Sequence, residues 1–153
     1  MKSLELKIPP PLIALLCIAL MWYIQGFYPL GWLTAAWVLP VAILLALTGI
    51  AVASMGAAAF KRAHTTVNPL HPEQTSHLVT DGIYRYTRNP MYLGMALVLT
   101  AIALYLADLS AFLGVALFVR YIGRYQIGPE EDRLLEKFGD SFAAYQNRVR
   151  RWL

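Results

Sequence analysis

The sequence predicts an all-α integral membrane helical bundle, four transmembrane helices followed by a cytosolic amphipathic C-terminal helix. Three observations carry that expectation. Only 14% of the 153 residues are charged, against about 25% in an ordinary soluble domain. From Ile8 to Phe60, a run of 53 residues, there is no Asp, Glu, Lys or Arg. The 13 Lys and Arg residues gather in three clusters separated by apolar stretches.

Each span follows from these runs. A bilayer core of roughly 30 Å takes about 20 apolar residues per helix, so the first run holds two spans, near residues 10–26 and 32–60. Gln25-Gly26-Phe27-Tyr28-Pro29-Leu30-Gly31 makes the turn between them, punctuated by Gly and Pro. Lys2 and Lys7 before the first span resemble the start of a signal peptide. The apolar sequence, however, outruns the roughly 7–15 residues of a signal core, so the segment reads as a retained span. Uncharged runs at 89–107 and 109–119 place the third and fourth spans near 90–107 and 109–128. A polar loop covers 61–89, and a tail helix runs from about 129 to 148. The whole chain, 1–153, is one domain.

Orientation comes from the basic residues. Lys2 and Lys7 precede the first span; Lys61, Arg62, Arg85 and Arg88 lie between the second and third. Arg120, Arg124, Arg133, Lys137, Arg148, Arg150 and Arg151 close the fourth span and form the tail. Four spans put all three clusters on one face, which the positive-inside rule makes cytoplasmic, with both termini inside. The net charge of +4 then reflects topology and attraction to anionic lipid, and nucleic acid is not an expected partner. Trp22, Tyr23, Trp32 and Trp37 flank the first turn as an interfacial belt. The small residues Ala51, Ala53, Ser54, Gly56 and Ala57 would let another helix approach closely.

Few residues suggest metal or redox chemistry. Cys17 is the single cysteine and excludes an internal disulfide. His64, His71 and His77 lie seven and six apart, a spacing that matches no metal motif, so no metal is expected. More telling is the stretch from Ser76 to Gly94. Thr80-Asp81-Gly82 reads as a turn with Gly82 at positive φ, and Asn89-Pro90 as a cap with proline at the first helical position. A helix start of this kind suits an anionic ligand group, with Tyr84, Tyr86 and Tyr92 around it. The same residues also fit a structured loop with interfacial tyrosines. Arg120 and Arg124 share a helix face. Arg120 sits after 11 uncharged residues, about 16 Å along a helix, a depth at which arginine usually faces a polar cavity or partner. Gly128-Pro129-Glu130-Glu131 reads as a further helix start, its carboxylates compensating the dipole.

Together these elements resemble a known family. Arg88-Asn89-Pro90-Met91-Tyr92-Leu93-Gly94, a long apolar hairpin, Glu130-Glu131, Phe138-Gly139, Tyr145 and Arg148-Val149 look like the isoprenylcysteine carboxyl methyltransferases, relatives of the membrane phospholipid N-methyltransferases. The resemblance covers about residues 65–153. It implies a membrane enzyme that uses S-adenosyl-L-methionine, held at the cytosolic face in a water-accessible hollow between the last two spans, with 61–89 as the cofactor loop. Carried over by position, cofactor contacts fall on Ser76, His77, Leu78, Val79, Tyr84, Asn89, Pro90, Met91, Tyr92 and Glu130. Leu78 and Val79 would wall the adenine, and Glu130 would accept hydrogen bonds from the ribose hydroxyls or the amino group. The best-known members have histidine at Asn89, and the eukaryotic enzymes have a substrate-binding arginine at Gln126; Arg120 and Arg124 would meet the acceptor's anionic group instead. No catalytic base is assigned, since in-line transfer rests on proximity and orientation. The acceptor is a lipophilic or small carboxylate, thiol or amine, reached from the lipid bilayer. The rival readings are a small membrane transporter, although the spans carry no acidic residue and no inverted repeat, and a non-catalytic membrane subunit.

Overall fold

A computed structural model describes residues 5–27, 36–63 and 77–153. The described residues are helical, with no strand among them. Helix α1 spans Pro10–Phe27, α2 Val38–Arg62, α3 Pro90–Tyr105 and α4 Phe112–Ile122. α5 (Gly128–Phe138) and α6 (Asp140–Arg148) complete the chain. Short 3-10 turns cover Gly82–Arg85 and Leu109–Ala111, and a π-helical turn, Gly123–Ile127, joins α4 to α5. The expected second-span start near 32, Trp32, the Tyr28–Gly31 part of the first turn, His64, His71 and Ser76 lie outside the described residues.

α2 and α3 form the most extensive helix pair, and small residues make it possible. Gly49, Ala53 and Gly56 face α3, so the helix backbones nearly touch. A Cβ on Gly49 would stand 2.7 Å from the Gly94 carbonyl, and one on Gly56 2.9 Å from the Pro90 ring. A Cβ on Gly94 would collide with the Gly49 carbonyl and with Ala53. The contact stripe is therefore Gly49–Ala53–Gly56, while Ala51 and Ser54 of the expected run face outward. α1 packs on α4, where Gly114 accommodates Met21. A core of Ile13, Cys17, Met21, Tyr92, Leu99, Phe118 and Ile122 joins α1, α3 and α4.

The outer faces are as apolar as the core. Leu15 and Leu16 on α1, Leu44 and Leu47 on α2, and Leu113 and Leu117 on α4 are all exposed. Trp22, Tyr23 and Trp37 are exposed near the α1–α2 junction, where an interfacial belt was expected. Of the described helices, α2 with 25 residues is long and apolar enough by itself to cross a membrane; α1 and α3 are apolar but shorter. The 16 residues of α3 reach about 24 Å.

Two expectations need correction. The tail is two helices, since Gly139 breaks it at φ +52°, a backbone conformation that glycine adopts without steric cost. α5 is also not a fresh helix start. Pro129 has no N–H to donate to the carbonyl of Tyr125 four residues back. That carbonyl instead accepts the backbone N–H of Leu6 at 3.1 Å, and the helix runs through the proline by widening into the π turn, an irregularity common at functional sites.

Gly94→Ala is expected to cost the ~1–3 kcal/mol of stability typical of overpacking, seen as a lower unfolding midpoint in detergent. Gly26→Ala, with open space around its would-be Cβ inside α1, does not lower the midpoint in the same denaturation series and raises it slightly.

Candidate functional site

The adjacent carboxylates at the start of α5 point to different partners. Tyr92, in the first turn of α3, donates its Oη to Glu130 Oε1 at 2.6 Å, and Gln126 Nε2 donates to the same oxygen at 2.7 Å. Both bonds fall on Oε1; Oε2 receives none among the described residues. Burial raises the Glu130 pKa to about 7, moderated by the Tyr92 and Gln126 hydrogen bonds and pushed up again by the charge of Glu131.

Glu131 is buried and holds two arginines. Arg88 reaches Oε1 through Nη2 at 2.8 Å and Nε at 3.2 Å; Arg151 reaches Oε2 at 2.5 Å. Arg88 also donates Nη1 to the carbonyls of Val149, at 2.5 Å, and Gln146, at 3.1 Å. Its backbone N–H goes to the Arg150 carbonyl at 3.0 Å. The Arg151 carbonyl accepts Thr87 Oγ1 at 3.3 Å and Asn89 Nδ2 at 2.9 Å. The C-terminal segment thus straps the approach to α3 to the start of α5.

Asn89 occupies the N-cap position of α3, with Pro90 next, but its side chain makes no cap bond. The side chain is spent on the C-terminal strap, so the first turn of α3 has no side-chain cap. Gly82 takes the expected positive φ, +62°. Tyr84 is buried, its ring edge-on to Phe60 at 5.4 Å and its carbonyl accepting Tyr145 Oη at 2.7 Å. Burial lifts the pKa values of both Tyr84 and Tyr145, so both stay neutral. Leu78 and Val79, half-buried, pack against this cluster.

The structure brings some of the expected residues together and separates others. Tyr92 meets Glu130 directly, and Tyr84 lies near enough to feel its charge. Pro90 and Met91 face Gly56 of α2, and His77 is exposed. Arg120 and Arg124 border two cavities on either side of α4. One, of about 570 Å³, lies against α1 and includes Leu16, Cys17, Leu117 and Tyr121. The other, of about 790 Å³, runs along Phe112, Val115 and Val119 to Arg151. Neither is lined by Tyr84, Asn89, Tyr92 or Glu130. Neither arginine makes an ion pair or hydrogen bond among the described residues.

Residues 37–141 match the sequence profile of the family described as phospholipid methyltransferase. The chain belongs to that family. An uncharacterized protein of Haemophilus influenzae is 46% identical over 63 residues, which are 41% of this chain and 100% of that relative. The protein-S-isoprenylcysteine O-methyltransferase of Schizosaccharomyces pombe is 35% identical over 72 residues, 47% of this chain and 30% of that enzyme. The chain thus spans under a third of that enzyme's length. No solved structure matches. The family resemblance read from Arg88–Gly94 and Glu130-Glu131 therefore holds, and with it membership in a family of membrane methyltransferases.

Sequence reasoning missed four contributors to this candidate site. Gln126, noted only as a departure, stands four residues before Glu130 and so on its helix face, a signal that could have paired them. Arg88 stands in the sequence as part of a motif, with nothing local to mark it as a partner of Glu131. Arg151 and Tyr145 act across 20 and 61 residues of sequence, and no local pattern announces such pairs.

Removing one partner of a buried ion pair typically costs about 3–5 kcal/mol. Glu131→Gln is accordingly expected to destabilise the fold and release the C-terminal strap, seen as faster amide exchange in residues 146–152 than in α3.

Proposed function

We propose that the chain is an integral membrane methyltransferase that uses S-adenosyl-L-methionine and acts on a lipophilic or small acceptor. The observation that carries this reading is the Tyr92–Glu130–Gln126 cluster at the junction of α3 and α5, inside the family match. The residues present fit the cofactor. Glu130 Oε2 is an open acceptor for ribose hydroxyls or the amino group. The first turn of α3, without a side-chain cap, offers N–H groups to a carboxylate, and Leu78 and Val79 offer apolar surface to a purine. The family resemblance would add His77, Tyr84, Asn89 and Met91 as further contacts, with Pro90 fixing the turn and Ser76 next to His77 in sequence.

When bound, the cofactor supplies an electrophilic methyl group on a sulfonium. The chain's own residues then bind, orient and exclude water. Tyr92 and Gln126 fix the Glu130 carboxylate, while Arg88 and Arg151 neutralise Glu131 beside it. Neutral Tyr84 and Tyr145 keep the floor of the site apolar. The acceptor approaches from the bilayer along the groove between α1 and α4, its anionic group meeting Arg120 and Arg124. Four spans, α1 to α4, would place both termini and this site on the cytoplasmic face. The exposed leucines on α1, α2 and α4 support contact of these helices with lipid.

Glu130 gives the site a pH signature. Because its folded pKa lies above the usual carboxylate value, the empty protein loses stability as pH rises toward 7 and the group ionises. A ligand that donates hydrogen bonds to the carboxylate recovers that loss. Calorimetric affinity for S-adenosylhomocysteine should therefore rise from about pH 6 to about pH 8 and then level off. Glu130→Gln should bind at least tenfold more weakly, about 1.4 kcal/mol, with a flat pH profile. No binding by the wild type, or binding indifferent to Glu130→Gln and Tyr92→Phe together, would leave a non-catalytic subunit as the better reading. The topology is checked with membrane-impermeant thiol reagents. Ser141→Cys should label only from the cytoplasmic side, while native Cys17, buried, should stay unlabelled.

A further inference from the structure

The groove on the face of α4 away from α1 shares Arg120 and Arg124 with the acceptor path proposed above, and the rest of its lining has no role in that reading. Its walls are apolar where they follow Phe112, Val115 and Val119, and cationic at one end, where Arg120, Arg124 and Arg151 converge. From Arg124 back to Phe112 is 12 residues, about 18 Å of helix. Phe112 stands near the start of the fourth span and Arg124 toward its other end, so the groove is apolar at its far end and cationic toward the proposed cytoplasmic side.

The charge there is not balanced by the protein. Arg120 and Arg124 have no acidic partner among the described residues. Glu131, the carboxylate that Arg151 engages, is shared with Arg88. Arg151 engages it through Nε and Nη2, and Nη1 makes no hydrogen bond among the described residues. Guanidinium groups at membrane depth are costly until an anion meets them, and charge-assisted bonds to phosphate are among the strong ones. Among the described residues that line the groove there is no carboxylate to receive an amine.

We propose that this groove seats one anionic phospholipid of the surrounding bilayer, its phosphate held by Arg120, Arg124 and Arg151 and one chain laid along Phe112, Val115 and Val119. The lipid is of the phosphatidylglycerol type, without an amine, and so is not itself an amine acceptor for methyl transfer. The seat is independent of cofactor binding.

Native mass spectrometry of the full chain tests this, with phosphatidylglycerol and phosphatidylcholine of matched chains supplied in equal amounts. The expected result is one phosphatidylglycerol retained per chain in preference to phosphatidylcholine. One cation near the surface is worth about 1 kcal/mol, so Arg120→Gln should cut that retention about fivefold. Ala116→Trp, at an exposed position bordering the groove, should cut it comparably while the helical circular dichroism melt stays that of the wild type. Inorganic phosphate should not compete. Equal retention of the two lipids, retention unchanged in both variants, or displacement by inorganic phosphate would each overturn the proposal.

Discussion

Two adjacent carboxylates at the start of α5 hold the polar end of this molecule together. Side chains 100° apart around a helix cannot share one environment, and Glu130 and Glu131 use the divergence. Glu130 turns to Tyr92 of α3 and Gln126 of the π turn; Glu131 turns to Arg88 before α3 and Arg151 after α6. Four stretches of chain meet at two consecutive residues. In a bundle whose helices are joined mainly by nondirectional apolar packing, these charge-assisted bonds supply much of the orientation.

The π turn makes that meeting possible. Pro129 would end an ordinary helix, yet here α4 runs on into α5 with one carbonyl diverted to Leu6. The extra residue in the turn sets the rotational phase of α5 relative to α4. The N-terminal segment, the fourth helix and the acidic pair are therefore linked through one backbone irregularity. On the other side, the Gly49–Gly94 crossing brings α2 against α3 and places Pro90 over Gly56, which fixes the height at which Tyr92 leaves its helix.

Much of this was legible in the sequence. Charge-free runs gave the helices, since nothing but apolar contact can bury or lipid-solvate such segments. Asn89-Pro90 gave the start of α3 to the residue, because proline's fixed φ leaves few alternatives. What sequence could not give were outcomes decided at long range. Asn89 was expected to cap and instead binds the Arg151 carbonyl, because the strap offered it a better partner. Glu130-Glu131 looked like simple dipole compensation, and Pro129 like a helix start; tertiary partners overrode both. The tail broke at Gly139, although Phe138-Gly139 had been noticed only as part of a motif. Local rules describe what a residue permits, and the partner brought by the fold decides which permission is used.

The central claim is that a methyl donor lodges where the first turn of α3 faces the first turn of α5. Hydrogen–deuterium exchange on the detergent-solubilised chain, with and without S-adenosylhomocysteine, asks this most directly. The account predicts slower exchange in peptides covering residues 77–92 and 126–132, with α1 unaffected. Unchanged exchange at saturating ligand, or protection confined to α1 and the outer face of α2, would contradict it.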